Sequence, residues 1–309
     1  MPARPRRRLP SAWTDDAQHR AQLRAKAIPL RASPRAESRY VLDLQALMRA
    51  VEKAVLHIVA RESAAAAPAV DPDLHHDAGA FSGIRRKLAA LFEQMRPWLR
   101  IHAAAAFDRM AKEVDARSLV GLALHSIRPG HVPGLQRLID ESRRENVNLI
   151  TKATQGFLDQ VRGTVEQYAD LPAGRRPAGP KRLADLEAGA EPRTLTEALQ
   201  VRAGVAGSRA ALIARDQTLK LNAAVSQQRQ RAVGGKSYRW SSSLDERVRP
   251  FHAALEGKVI SWDDPPVTDD DGNRNHAGED YQCRCVAVPI IEELYEPSTS
   301  ESEESQEPE

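Results

Sequence analysis

Apolar residues recur at helical spacing through most of the first two thirds of the chain. From Tyr40 to Arg61, Val41, Leu44, Met48, Val51, Val55 and Ile58 follow one another on one face, with Arg49, Glu52 and Lys53 opposite, which predicts an amphipathic helix. The pattern resumes between Phe81 and Val114, where Pro97 removes a helix donor and crowds the preceding turn, so a kink or two shorter helices are expected. A third run, Leu135 to Tyr168, places Leu138, Ile139, Leu149, Ile150, Phe157, Val161 and Val165 on its apolar side and predicts the longest helix of the chain. Two more helices are expected before Gly234-Gly235, one capped by Thr194 or Thr196 and one opened by Ser208 and running to Arg231.

Between these runs lie breaks. Ser63 to Gly79 is rich in Ala, Pro and Asp and reads as a connector, its His75-His76 pair as part of a solvated loop. Arg128 to Gly134 carries turn chemistry, and 171–193 is a basic, Pro- and Gly-rich linker open to proteolysis. After Gly235 the period shortens: Tyr238 with Trp240, Lys258 to Trp262, and Cys283 to Val288 read as short strands. The expected fold is therefore a mainly α N-terminal and central region followed by a small C-terminal α+β domain. Its parts are a flexible basic arm (1–39), a helical domain (40–170), the linker (171–193), the α+β domain (194–291) and an acidic disordered tail (292–309).

Composition supports helix, since 41% of residues are hydrophobic but only 5% aromatic. Charge adds an asymmetry. The chain carries +3 overall, yet Glu292 to Glu309 holds eight Glu and no Lys or Arg, which leaves +11 on the remainder. The arm, with Arg4, Arg6, Arg7 and Arg8, suits non-specific contact with double-stranded DNA through counterion release; as a plainer reading, arm and tail both act as solubilising ends. No stretch of eighteen apolar residues and no signal-type h-region occurs, so neither a membrane span nor a secretory leader is expected, and cytosol is the expected compartment. Walker-loop, His-Glu-x2-His and Gly-x-Ser-x-Gly patterns are absent from the sequence, which removes the residues those ATPase, metalloprotease and serine hydrolase readings need.

The chemistry-bearing residues gather between Tyr238 and Cys285, which holds both cysteines, His252 and His276. Cysteines two apart on an extended segment project to the same side, so Cys283 and Cys285 could offer two thiolates to a structural zinc, with His252 and His276 completing the set. Two reduced cysteines packed as small hydrophobes, one hydrogen-bonded to the His252 ring, is the competing reading. A disulfide between them would close a strained, very small ring, and a catalytic Cys/His pair lacks a recognisable third orienting group. Asp245 can cap a turn while Arg247 and Arg249 anchor a phosphate or a partner's carboxylate, or else pair internally with Asp245.

Together, Ile213-Ala-Arg-Asp-Gln217, Tyr238-Arg-Trp240, Asp245-Glu-Arg-Val-Arg249 with His252, Leu255-Glu-Gly257, and the Gly278-Glu-Asp-Tyr-Gln-Cys-Arg-Cys285 run resemble the phage Mu F-type minor head protein domain. The resemblance covers roughly Asp140 to Pro289 and departs from the pattern at His276-Ala277-Gly278, where similar members often carry His-Pro-Gly. It implies a structural, non-catalytic component of a tailed-phage or prophage head. Such a component acts in head morphogenesis at the portal and capsid interior, with a role in DNA packaging or ejection. It would be made in the bacterial host cytoplasm, with portal, capsid and scaffold proteins and packaged DNA as partners and no membrane or small-molecule substrate. Tyr238, Trp240, Asp245, Arg247, Arg249 and Gly257 then serve as motif and structural positions. The alternatives from other classes are a metal-dependent nuclease or effector using His252, Cys283 and Cys285, and a DNA-binding assembly factor.

Overall fold

The computed structural model describes residues 31–66, 78–124, 131–169 and 195–290. The arm positions Arg4, Arg6, Arg7 and Arg8, the His75-His76 pair, the 171–193 linker and the acidic tail lie outside those residues. Helices dominate: α1 (Pro34–Ala66), α2 (Ala78–Leu124), α3 (Leu135–Ala169) and α4 (Leu195–Ala232) precede β1 (Ser237–Ser241), a one-turn α5 (Pro250–Ala254), β2 (Val259–Ser261) and β3 (Val286–Pro289).

Four sequence expectations change. The basic arm does not extend to residue 39, because α1 starts at Pro34: the Ser33 hydroxyl accepts the Ala36 backbone N–H at 3.2 Å, and proline suits the first helical position. Pro97 does not divide its segment, and α2 runs unbroken for 47 residues, which makes it longer than the 35-residue α3 that periodicity marks as the longest. An interior proline costs about 3 kcal/mol. Leu88 and Leu91 before it and Leu99, Ala103 and Phe107 after it are all buried, so packing on both sides holds the helix through the lost bond. The segment from 195 to 232 is one helix; Ser208 does not open a second, and its hydroxyl instead donates back to the Gly204 carbonyl at 3.1 Å, as serine does inside helices. Strand β3 starts at Val286, so Cys283 and Cys285 stand on irregular backbone just before it.

Two compact units divide these elements without following chain order. The first, Ser33–Glu113 with Ile139–Thr218, is helical. Arg109 on α2 reaches Asp43 on α1 at 2.9 Å and Lys87 on α2 pairs with Glu62 on α1, so the two helices run antiparallel. Tyr40 donates to Asn146 and the Thr154 hydroxyl meets the Met48 sulfur at 3.7 Å, which aligns α3 parallel to α1. Between them lie Tyr40, Leu44, Val51, Phe107, Val161 and Val165, all fully buried, with Tyr40 and Phe107 edge to face at 6.5 Å.

The second unit takes Arg31 and Ala32, the described residues of Val114–Leu138, and everything described from Leu219 onward. Its three-stranded antiparallel sheet has the order β2-β1-β3, with Tyr238 opposite Ile260 and Trp240 opposite Ala287. Strand alternation turns Tyr238 and Trp240 inward and leaves Arg239 exposed. Helix α4 ends in a Schellman turn: Gly234, at φ +98°, donates to the Arg231 carbonyl at 3.0 Å and Gly235 to the Gln230 carbonyl at 2.9 Å. The last turn then ties itself to the sheet region, since Gln230 donates to the Ala287 carbonyl at 3.0 Å and Arg231 to the Trp262 carbonyl at 3.0 Å. No helix among the described residues is long and apolar enough to cross a membrane.

Candidate functional site: a histidine between two cysteines

Strand β1 and Trp262, the residue after β2, supply a floor of aromatic rings. Tyr238 and Trp262 lie 4.2 Å apart, Tyr238 and Trp240 6.5 Å, and the whole group is buried with Leu255, Ile260, Ala277, Cys283, Cys285 and Ala287. Gly257, at φ +73°, makes the turn from α5 into β2, and its carbonyl accepts from Arg239 at 2.9 Å. On α5, led by Pro250, His252 is 2% exposed and presents its ring edge to Trp240 at 5.5 Å between centroids.

Both ring nitrogens of His252 are engaged. Nε2 lies 2.9 Å from Asp280 Oδ2, while Nδ1 lies 3.5 Å from Cys283 Sγ and 3.5 Å from Cys285 Sγ. Asp280 Oδ1 in turn accepts from Asn275 Nδ2 at 2.8 Å, and the same amide reaches the Thr268 hydroxyl at 3.0 Å. A carboxylate on Nε2 fixes the tautomer with its proton there and leaves the Nδ1 lone pair facing the sulfurs. The cysteines are free thiols and buried. Hydrogen bonding from Cys285, helped by His252, holds the Cys283 thiol down to about 5, whereas the neighbouring Cys283 sulfur pushes Cys285 upward. The Cys283 contact, ahead of Asp280, raises His252 against the opposing cost of burial.

The backbone that aims these groups is unusual. Gln282 has φ +54°, a left-handed conformation that costs a non-glycine residue roughly 1–2 kcal/mol. Gly278, at φ +92°, packs so closely that a Cβ there would sit 2.7 Å from Ala223 Cβ on α4 and 3.2 Å from the Cys285 carbonyl. A glycine is therefore required where the loop crosses α4.

The remaining predicted residues divide. His276 does not join the trio: its Nδ1 lies 3.2 Å from the Tyr238 hydroxyl and its ring packs edge-on against Trp262 at 5.1 Å, with burial holding its protonation below the usual histidine range. Asp245 takes neither Arg247 nor Arg249 as its side-chain partner. Its carboxylate receives both Arg284 Nη atoms, at 2.5 and 2.7 Å, and caps the turn by accepting the Arg247 backbone N–H at 3.1 Å. That fork, first among the causes, holds Asp245 below the usual carboxylate range. Arg249 donates instead to the Tyr281 carbonyl at 2.7 Å, fastening the loop that carries the cysteines. Sequence reasoning passed over Asp280, Asn275 and Arg284. Asp280 and Arg284 both sit inside the distinctive 278–285 run, so the acid near the histidine's cysteines and the arginine between them were the available signals.

Two comparisons with known proteins give a match. A protein of Haemophilus influenzae, described as uncharacterized, is 32% identical over 160 residues, covering 52% of this chain and 31% of that protein. The chain thus spans about a third of that relative's length. No solved structure matches. Residues 182–288, which hold α4, the sheet up to Val288, His252 and both cysteines, match the family described as Phage Mu protein F like protein.

Proposed function

We propose that this chain is a structural component of a phage head that acts in head morphogenesis, at the portal and capsid interior, and does so without catalysis. The observation that supports the reading is one of position: the match to the Phage Mu protein F like family covers 182–288, and α4, His252, Cys283, Cys285 and all of the small sheet but Pro289 fall inside it. These side chains are turned into the unit, at 2%, 4% and 5% exposure. Such groups act first on the shape of a loop-rich module, and the module's outer surface is what a neighbouring protein meets.

In this reading the portal protein is the direct partner, capsid or scaffold subunits are neighbours, and the basic arm adds salt-sensitive contact with packaged DNA. The full chain, co-expressed with the portal protein of the same phage or prophage, is expected to co-purify with it through size exclusion. Separate elution of the two proteins at all salt concentrations contradicts the portal assignment.

A further inference from the structure

The His252 ring carries one lone pair at Nδ1 but two sulfurs at the same distance, 3.5 Å each. The one lone pair takes one thiol donor; the second thiol can hydrogen-bond to its sulfur neighbour, yet it stands equally close to Nδ1. A cation shared by all three atoms accounts for both. Around a tetrahedral zinc, with Zn–S about 2.3 Å and Zn–N about 2.0–2.1 Å, the nitrogen and each sulfur stand about 3.5–3.6 Å apart. Nδ1 and the two Sγ atoms all lie within 4.8 Å of one another, so they can close onto one ion without moving the elements that carry them.

We propose that His252 Nδ1, Cys283 Sγ and Cys285 Sγ bind one zinc ion, as a three-residue site whose fourth position takes water. Three further features fit. Asp280 on Nε2, held by Asn275, is the carboxylate that orients a metal-bound imidazole through its far nitrogen. The left-handed Gln282 directly precedes Cys283 and turns the chain so that both sulfurs face one ring, a geometry that an ion repays with binding energy. His276 is committed to Tyr238 and Trp262 and stands outside the set. The site is independent of the proposed head role, because it follows from the geometry of the module alone.

The same residues also resemble a Cys-His-Asp nucleophile arrangement, with Asp280 as the orienting group that sequence reasoning did not find. That arrangement needs one sulfur with access to substrate. Here two sulfurs share the nitrogen and both are buried.

The test uses the full chain, purified under reducing conditions and loaded with zinc or cobalt, with metal measured by elemental analysis. Because Cys283 and Cys285 are the only cysteines, a thiolate-to-cobalt charge-transfer band reports this site alone. One ion per chain is expected, with the visible absorption of tetrahedral cobalt, both thiols protected from a thiol reagent until a chelator is added, and full retention in His276→Ala. Loss of the ion is expected in Cys283→Ser/Cys285→Ser. Asp280→Asn, which keeps the ligands, should weaken binding about 10- to 100-fold. A folded wild-type chain that takes up no ion, or whose thiols react equally fast with and without zinc, overturns the proposal. Retention of the ion by the double serine variant also overturns it, and loss in His276→Ala overturns the three-residue set.

Discussion

The helical unit and the C-terminal unit solve the same problem by different means. In the first, Leu44, Val51, Phe107, Val161 and Val165 fill the interior, and polar residues enter it as isolated pairs such as Tyr40 with Asn146. In the second, a three-stranded sheet of short strands cannot bury enough apolar surface by alternation alone, and a chain of named side-chain contacts does the rest. Aromatic rings, one histidine, two cysteines, Asp280, Asn275 and the Arg284–Asp245 fork hold irregular backbone in one shape. The lesson is about substitution: the helical core depends on volume, whereas the C-terminal core depends on which atom meets which.

Truncation of the largest core side chains should have the largest effect and should not discriminate between the units. Phe107→Ala and Trp240→Ala are each expected to cost about 3–5 kcal/mol in chemical denaturation, since both residues are fully buried. A cost below about 1 kcal/mol at either site would break the account of that core.

Shape-preserving polar changes should separate them. Asp280→Asn removes the charged acceptor of the His252 ring and is expected to destabilise the C-terminal unit by about 1–3 kcal/mol, while Tyr40→Phe, which removes only the hydroxyl that donates to Asn146 in the helical unit, leaves the near-ultraviolet tryptophan signal of the C-terminal unit unchanged. Gly278→Ala sharpens the point further, because its Cβ has no room against Ala223 and the backbone there is left-handed; a loss of about 1–3 kcal/mol is expected, read as a lower midpoint in urea.

A smaller effect belongs to the start of α1. Ser33→Ala removes the cap on the Ala36 N–H and should cost about 1 kcal/mol, with increased amide exchange over the first turn only. Smallest of all is a pH effect. Hydrogen bonds led by the Asn273 side chain hold Asp269 below the usual carboxylate range, so its folded pKa is depressed. Its contribution is therefore present above the unfolded value of about 3.9 and lost as pH falls through the folded one. Protection factors of the Asp271 and Asn273 amides, with the intrinsic pH dependence of exchange divided out, should fall in that acid window and stay flat above it; a fall near neutrality would contradict the assignment.

The two units also differ in how far their sequences reveal them. Among the described residues, short alternation located β1 and β2 through Tyr238, Trp240 and the Val259 region, a cap residue marked the start of α4, and periodicity located α1, α2 and α3 and the second half of α4, where apolar residues recur on one side. It failed at Pro97 and Ser208 because a local helix-breaking signal is overridden where packing continues on both sides. It also missed the Ser33-Pro34 start, where the cap and proline, rather than apolar spacing, carry the information. At the site, spacing brought Cys283 and Cys285 together, while His252 and His276 both entered by residue type, and only His252 reaches the sulfurs. Asp280 and Arg284 escaped notice because their partners, His252 and Asp245, are 28 and 39 residues away, a separation that no local pattern encodes.

The central functional claim is that the Mu F-like region serves a phage head as a structural part. It is tested most directly by mass spectrometry of purified particles from the phage or induced prophage that encodes the chain. The account predicts the chain in DNA-filled heads at low, fixed copy number. DNA-filled, infectious particles that contain none of it would contradict the account.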